Sequence, residues 1–408
     1  MLPTRRRPAV VAVAALLAAL VPAPAEAVPG QDCAEPGREE IGGSWSRAAL
    51  RADAVSPVAN GFGVLVAVLS TGVDAGQPQL GGRVLSGVDA SDQAGPANQD
   101  CTGTGTQVAG VIAGQAGGGD ADVAGLAPSS RILPIRVLPD DPAGSESDPA
   151  TLARGVTAAV QNGADVIVVA TAVYQDRQQL RNAVAGAVDQ GVTVVAAAGD
   201  LGVPDDGNPV PYPASYPGVI GVGAIDQNGR ISPASQRGEF VDLVAPGVAV
   251  PTLQTGRGLV EVDGTAVAAG YVGGVVALVR DRRGDLGPEA VGRLLAATAS
   301  PAPIGDAFGA GVVDPQAAVT GLLGGTDQRA LPGVDPVPPP DTAADRVRTA
   351  IALAGAGVAV VVVIAVLLAA AAIRRSRRQH WRPGLAAPTP VYAEPIEPGP
   401  PVMLLDEP

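Results

Sequence analysis

Between residues 64 and 298, short apolar runs alternate with segments of helical period, and that alternation decides what the chain can fold into. Val64–Leu69, Ile132–Leu138, Asp165–Ala170, Val192–Ala197, Val219–Ala224 and Val241–Ala245 read as strands. Each is apolar along its whole length instead of at every second position, as expected for strands covered on both faces. Thr106–Gln115, Ala150–Gln161, Asp176–Gln190, Thr265–Arg280 and Pro288–Thr298 read as helices between and after them. The fold class is α/β, a mostly parallel doubly wound sheet with helices on both sides. Sites in such sheets form at the carboxyl ends of strands, where Ser70 sits.

The core has to be built from small aliphatic residues, because aromatics make up only 2% of the chain. The formal net charge of −13 argues against a nucleic-acid partner. Every basic residue other than the single histidine is Arg; there is no Lys. The histidine, His380, lies near the C-terminus, which removes an imidazole base and any His-ligated metal from the main domain. No metal and no cofactor is expected. The two cysteines, Cys33 and Cys101, allow one disulfide, which an exported context favours over two free thiols.

The ends of the chain carry their own signals. Arg5–Arg7, the apolar run Ala9–Val21 and Ala25-Glu26-Ala27 read as a secretory signal peptide over 1–27, the run being short for an uncleaved anchor. Residues 28–60 are a polar extension that wraps the main domain, 61–325. A Pro-rich linker follows over 326–348, then an uncharged stretch from Thr349 to Ile373 between Arg348 and Arg374. At 1.5 Å per residue that stretch reaches about 36 Å, enough to span roughly 30 Å of hydrocarbon. Arg374, Arg375, Arg377, Arg378 and Arg382 follow at once, so the tail 374–408 is expected in the cytoplasm and the main domain outside it.

Several motifs over residues 61–322 resemble, in order, those of the subtilisin-like serine proteases. They are Val66–Val73, ending Ser70-Thr71-Gly72; Asp100–Gly110, containing Gly103-Thr104-Gly105-Thr106; Ala196–Asp200; Tyr212-Pro213-Ala214; Ala245-Pro246-Gly247; Gly264–Ala269; and Phe308–Asp314. The resemblance implies a subtilisin-like three-layer fold. More narrowly, the chain is similar to mycosins, the membrane-anchored subtilases of actinobacterial type VII secretion systems. The signal peptide, cysteine-bearing extension, Asp-Cys before the second motif, Pro-rich linker and C-terminal span all match that layout. The resemblance implies a Cys33–Cys101 bridge tying extension to domain, and type VII membrane-complex subunits as partners.

Residue by residue, the same motifs place Ser70 at the family's Asp position, Thr104 at its His position and Ala266 at its nucleophilic Ser position. Asp200 falls where the family carries the Asn that stabilises the oxyanion. A methyl group has no lone pair for attack, and Ser and Thr hydroxyls are too weakly basic to act as general bases. An ionised carboxylate accepts hydrogen bonds only and opposes a developing negative charge. Two further departures touch substrate binding: Val166–Thr171 replaces a Ser-Leu-Gly-like strand, and Gly270 replaces a proline. On these residues the chain is expected not to be an enzyme but a pseudoprotease, a structural or stabilising component of a type VII membrane complex. The alternatives are a serine-type endopeptidase with residual or unconventional activity, and a non-cleaving module that binds extended peptide segments of secreted proteins.

Overall fold

The continuous apolar runs become strands with both faces buried. In the computed structural model, residues 33–39, 41, 44–91, 96–116, 123–139, 147–202, 207–284, 286–303, 305–321 and 343–378 are described. They fall in two units, 1–325 and 326–408.

In chain order the first unit carries α1 (Trp45–Ala49), α2 (Ala52–Val55), β1 (Leu65–Ser70), β2 (Val88–Asp89), α3 (Thr104–Ala113), β3 (Arg131–Arg136), α4 (Pro149–Gln161), β4 (Val166–Val169), α5 (Gln178–Asp189) and β5 (Thr193–Ala197). It continues with β6 (Val219–Ile225), β7 (Leu243–Pro246), β8 (Val250–Leu253), β9 (Leu259–Val262), α6 (Thr265–Arg283), α7 (Pro288–Thr298) and α8 (Pro315–Thr320). A seven-stranded sheet runs in the order β2-β3-β1-β4-β5-β6-β7, and its neighbouring strands are parallel. β8 and β9 form a separate antiparallel pair.

Alternate strand residues feed two cores. Val66, Val68, Val166, Val168, Val195 and Ala197 face α3 and α6, whereas Ala67, Leu69, Ile167, Val169, Val194 and Ala196 face α4 and α5. The result is the three-layer arrangement expected for a subtilisin-like fold. The strands that alternation identified are all present, shifted by one or two residues at their ends. β2, β8 and β9 carry no such signal, being two to four residues long and partly exposed at β2 and β9.

Helix α6 runs through the larger core, buried from Val267 to Val279, and comes close to its neighbours only because it carries glycines. A Cβ added at Gly273 would stand 2.3 Å from Val168 Cγ2, and one at Gly270 would stand 2.7 Å from Val111 Cγ2. Gly270, which departs from the family motif, therefore has a packing reason of its own.

The described residues between Cys33 and Arg51 make contacts that reach far along the chain. Cys33 and Cys101 are disulfide-bonded. Arg38 pairs with Leu259 on β9, and Trp45 Nε1 donates to Ala249 O at 2.9 Å. Ser46 Oγ and Tyr271 Oη lie 2.6 Å apart in the interior, and Arg51 pairs with Asp314. Tyr271 heads the largest fully buried side chains, and burial pushes its hydroxyl up to about 12.

In the second unit α9 (Ala343–Arg378) contains a stretch, Ala350–Arg378, in which an 18-residue window reaches a mean hydropathy of 3.0 with none of that window buried. Among the described residues it is the one helix long and apolar enough to cross a membrane. The expected signal peptide, most of the linker and the tail beyond Arg378 lie outside the described residues.

Candidate functional site

Three loops at the carboxyl ends of β1, β4 and β5 meet the heads of α3 and α6, and each is shaped by its local sequence. Gly103 begins α3 at φ +91° and Gly264 begins α6 at φ +132°, backbone conformations that a side chain rarely adopts. Gly105 follows Gly103 because a Cβ there would fall 1.8 Å from Gly72 O.

Asp100 organises the α3 side. Its carboxylate is buried and accepts from Gly103 N at 2.8 Å, Thr106 N at 2.8 Å, Thr106 Oγ1 at 2.7 Å and Thr71 Oγ1 at 2.9 Å. It thus satisfies amides at the start of α3 and ties them to the end of β1. Burial raises its pKa above the usual carboxylate range, while the hydrogen bonds from Thr106, Gly103 and Thr71 work the other way. Next to it, buried Arg136 donates from Nε to Thr71 O at 2.9 Å and pairs with Asp89 at 3.2 Å.

On the α6 side Asp200 accepts from Thr265 N at 2.9 Å and from Thr265 Oγ1 at 3.2 Å. Thr265 Oγ1 also accepts from Gly199 N at 3.1 Å, and Thr265 itself is wholly buried. Asp200 is exposed as a residue, yet its carboxylate lies against the cleft wall. Desolvation there raises its pKa, opposed by the Thr265 hydrogen bonds and reinforced by the charge of Asp263.

The structure brings Thr104, Asp200 and Ala266 to one cleft of about 400 Å³, together with Thr171, Tyr174, Asp263 and Thr265. Ser70 does not line it. It is wholly buried behind the α3 head, its Cβ 3.2 Å from where a Gly105 side chain would begin, and its Oγ has no hydrogen-bond partner among the described residues. Sequence reasoning found Ser70, Thr104, Asp200 and Ala266 by motif. It missed the structural part played by Asp100, whose signal was an acidic residue just ahead of a helix start, and it missed Asp263, which precedes the α6 glycine.

Chemically the described residues of the cleft offer two carboxylates, several hydroxyls and no basic side chain. It can accept hydrogen bonds and positive charge. Hydrolysis in this cleft could not begin from the Ala266 methyl, and Thr265 Oγ1 is closed off from solvent.

Residues 61–323 match the family model described as Subtilase family. A thermophilic serine proteinase from a Bacillus species is 38% identical over 214 residues, covering 52% of this chain and 51% of that protein. The chain thus spans about half the length of that relative. Mycosin-1 from Mycobacterium tuberculosis is 35% identical over 364 residues, covering 76% of this chain and 81% of the relative. Among solved structures, that of MycP1, titled a serine protease and an essential component of the type VII (ESX-1) secretion system, superposes with a TM-score of 0.62. It shows 33% identity and covers 71% of this chain and 93% of that one.

These relatives overturn the expectation that the chain is not an enzyme. The Bacillus relative is named a serine proteinase and MycP1 a serine protease, and they point to protease activity. The expectation went too far because even the loss of catalytic side chains lowers a rate without setting it to zero. In subtilisin, a member of the same family, about 10³–10⁴ over water survives loss of all three catalytic groups. With its parallel sheet, the central helix α6 and the match over residues 61–323, the chain belongs to the subtilase family.

Proposed function

We propose that this chain is a mycosin-like subtilase anchored in the plasma membrane by the 349–373 stretch, serving a type VII secretion membrane complex as a structural, stabilising component. The main domain lies outside the cytoplasm and the Arg-rich tail inside, in keeping with the charges that follow the span. At the site, Ser70, Thr104 and Ala266 stand at the triad positions and Asp200 at the oxyanion position. The observation that carries the structural role is the head of α6, where Asp200 is spent on Thr265. The groups around it serve the shape of the domain: the glycines at 103, 105 and 264, the Asp100 cap and the Arg136–Asp89 pair. Such a role does not depend on hydrolysis.

Isolation of the native membrane complex tests the proposal. The chain is expected to copurify with it, and deletion of the chain is expected to make the complex fall apart. A chain recovered alone, beside a complex that is intact without it, overturns the proposal.

A second reading keeps the cleft at work on extended peptide segments, cut or merely held. The names of the relatives favour it, and so does a cleft open to solvent. Incubating the purified full chain with peptide libraries and following cleavage by mass spectrometry separates cutting from holding.

A further inference from the structure

Residues 58–63, the turn that leads into β1, hold a large aromatic side chain out to solvent. Phe62 is 76% exposed and Val58 43%, two of the three large apolar side chains exposed among the described residues of the first unit. The exposure is built in, because the loop is tied down beneath the ring. Asp281 Oδ2 accepts from Asn60 N and from Gly61 N, each at 2.9 Å. Asn60 O accepts from Ser129 N at 2.9 Å, and Asn60 Oδ1 accepts from Phe62 N at 3.1 Å. Gly61 and Gly63 flank the ring at φ +83° and +80°, and a Cβ at Gly63 would meet nothing within 4 Å. A fixed, convex tip that ends in an apolar ring marks an interaction surface.

Positive charge surrounds the tip, although the chain as a whole carries −13. Arg131, whose backbone N donates to Val64 O, and Arg282, next to Asp281, are both exposed. Neither guanidinium has a partner among the described residues. Arg83 stands close by, donating to Ser129 O at 3.4 Å. The acidic groups packed against the loop, Asp281 and Asp165, are spent on backbone amides, the latter on Leu65 N at 2.8 Å.

The same turn of α6 fixes the place where the main domain ends. Arg283, two residues past Asp281, donates to Val319 O at 3.3 Å and to Gly321 O. Residues 322–348 lead from there to the uncharged stretch Thr349–Ile373. On the anchoring proposed above, the chain sets out for the bilayer within one helical turn of the residue that holds the Phe62 loop.

We infer that this loop docks on the bilayer surface, Phe62 entering the interface while Arg131 and Arg282 bind the phosphates of anionic lipid headgroups. The inference rests on the proposed membrane anchor and adds a second, weaker hold that sets which face of the domain meets the lipid. The acyl boundary takes up an apolar ring, and the negative surface potential attracts each Arg beside it. A protein partner would have to offer a pocket for so convex a tip, whereas a fluid interface yields to it.

The test uses the full chain in nanodiscs of phosphatidylcholine, with or without phosphatidylglycerol, the lipids being brominated on their acyl chains. Phe62→Trp is made in a Trp381→Phe background, which removes the tryptophan of the tail and leaves Trp45 as a constant emitter. With phosphatidylglycerol present, the added tryptophan is expected to be quenched about twofold. Omitting that lipid, or combining Arg131→Gln with Arg282→Gln, should make the quenching recede, each lost charge weakening the docking about fivefold. Val210→Trp, near the Tyr212–Val173 pair past the carboxyl end of β4, should stay unquenched.

Absence of quenching at position 62 in discs that carry the chain overturns the docking and leaves the anchor standing. A chain that does not enter the discs overturns both. Equal quenching at positions 62 and 210, or quenching indifferent to phosphatidylglycerol and to the two Arg changes, also overturns the inference. So does a blue shift in detergent that grows with protein concentration, which assigns the tip to a second copy of the chain.

Discussion

The Asp200 carboxylate grips Thr265 twice, one oxygen 2.9 Å from the backbone nitrogen and the other 3.2 Å from the hydroxyl. The residue that heads α6 is thereby capped by a side chain from the loop after β5. Burial holds the Asp200 carboxyl above its usual range. A raised native pKa means that the folded chain holds the proton more tightly than the unfolded one. The group's contribution is then complete below the unfolded pKa and is lost as pH rises through the folded one. Asparagine keeps an oxygen for Thr265 N and never ionises. Asp200→Asn is therefore expected to raise the unfolding temperature at neutral pH and to change it little near pH ~3. Thermal unfolding of both chains at the two pH values checks this, and an equal shift at both counts against it.

Asp100 is the acceptor for two amides and a hydroxyl at the start of α3 and for the hydroxyl of Thr71. Asp100→Ala strands these donors in the interior and should cost about 2–4 kcal/mol of stability. Denaturant titration of the variant measures it. A loss no larger than that of an exposed Asp→Ala change would remove Asp100 from its organising place.

The glycines of two helices should answer oppositely to alanine. Gly273→Ala drives a methyl toward Val168 Cγ2, where the gap is 2.3 Å, and should destabilise by about 1–3 kcal/mol. Gly186→Ala, on α5 with open space around it, should stabilise by roughly 0.5–1 kcal/mol through helix propensity. Paired unfolding curves decide the matter, and equal signs for the two changes would contradict the packing described for α6.

The Cys33–Cys101 bridge spans a sequence separation of 68. Loop-closure entropy for that length gives a stabilisation of about 4 kcal/mol. Cys33→Ser with Cys101→Ser should lose most of it, and should leave residues 33–39 open to proteases that spare the parent chain. Limited proteolysis followed by mass spectrometry reads the outcome. An unchanged digest would mean that the backbone pairing of Arg38 with Leu259 holds the extension without the bridge.

Four substitutions test the positions assigned by motif: Ser70→Asp, Thr104→His, Asp200→Asn and Ala266→Ser. In subtilisin the triad is worth about 10⁶ in turnover. Recovery of even a small part of that should raise hydrolysis of a peptide anilide by about 10²-fold over the parent chain. The same rate in both would show that the assigned residues do not meet as a triad does.

Most of the sheet was legible because each strand is apolar throughout, and that pattern survives packing on both faces. Val66 and Ala67, side by side in β1, end in opposite cores. The start of α3 was misplaced by two residues, at Thr106 instead of Thr104, because Gly103 and the Asp100 cap set it and periodicity does not. The helices of the extension, five and four residues long, were invisible, since a turn that short is held by distant partners such as Tyr271 and Asp314. At the site, motifs pointed to Ser70, Thr104, Asp200 and Ala266. They could not show that Ser70 is sealed off while Thr104, Asp200 and Ala266 share a cavity.

The contacts made by the extension reach 204 residues ahead at Trp45, 225 at Ser46 and 263 at Arg51. During synthesis the amino end leaves the ribosome first; Cys33 meets its partner after 68 residues, whereas Trp45, Ser46 and Arg51 wait for Ala249, Tyr271 and Asp314. The last of these knots is tied with an early thread, so a product truncated anywhere before Asp314 leaves Arg51 without that partner as well as lacking its own end.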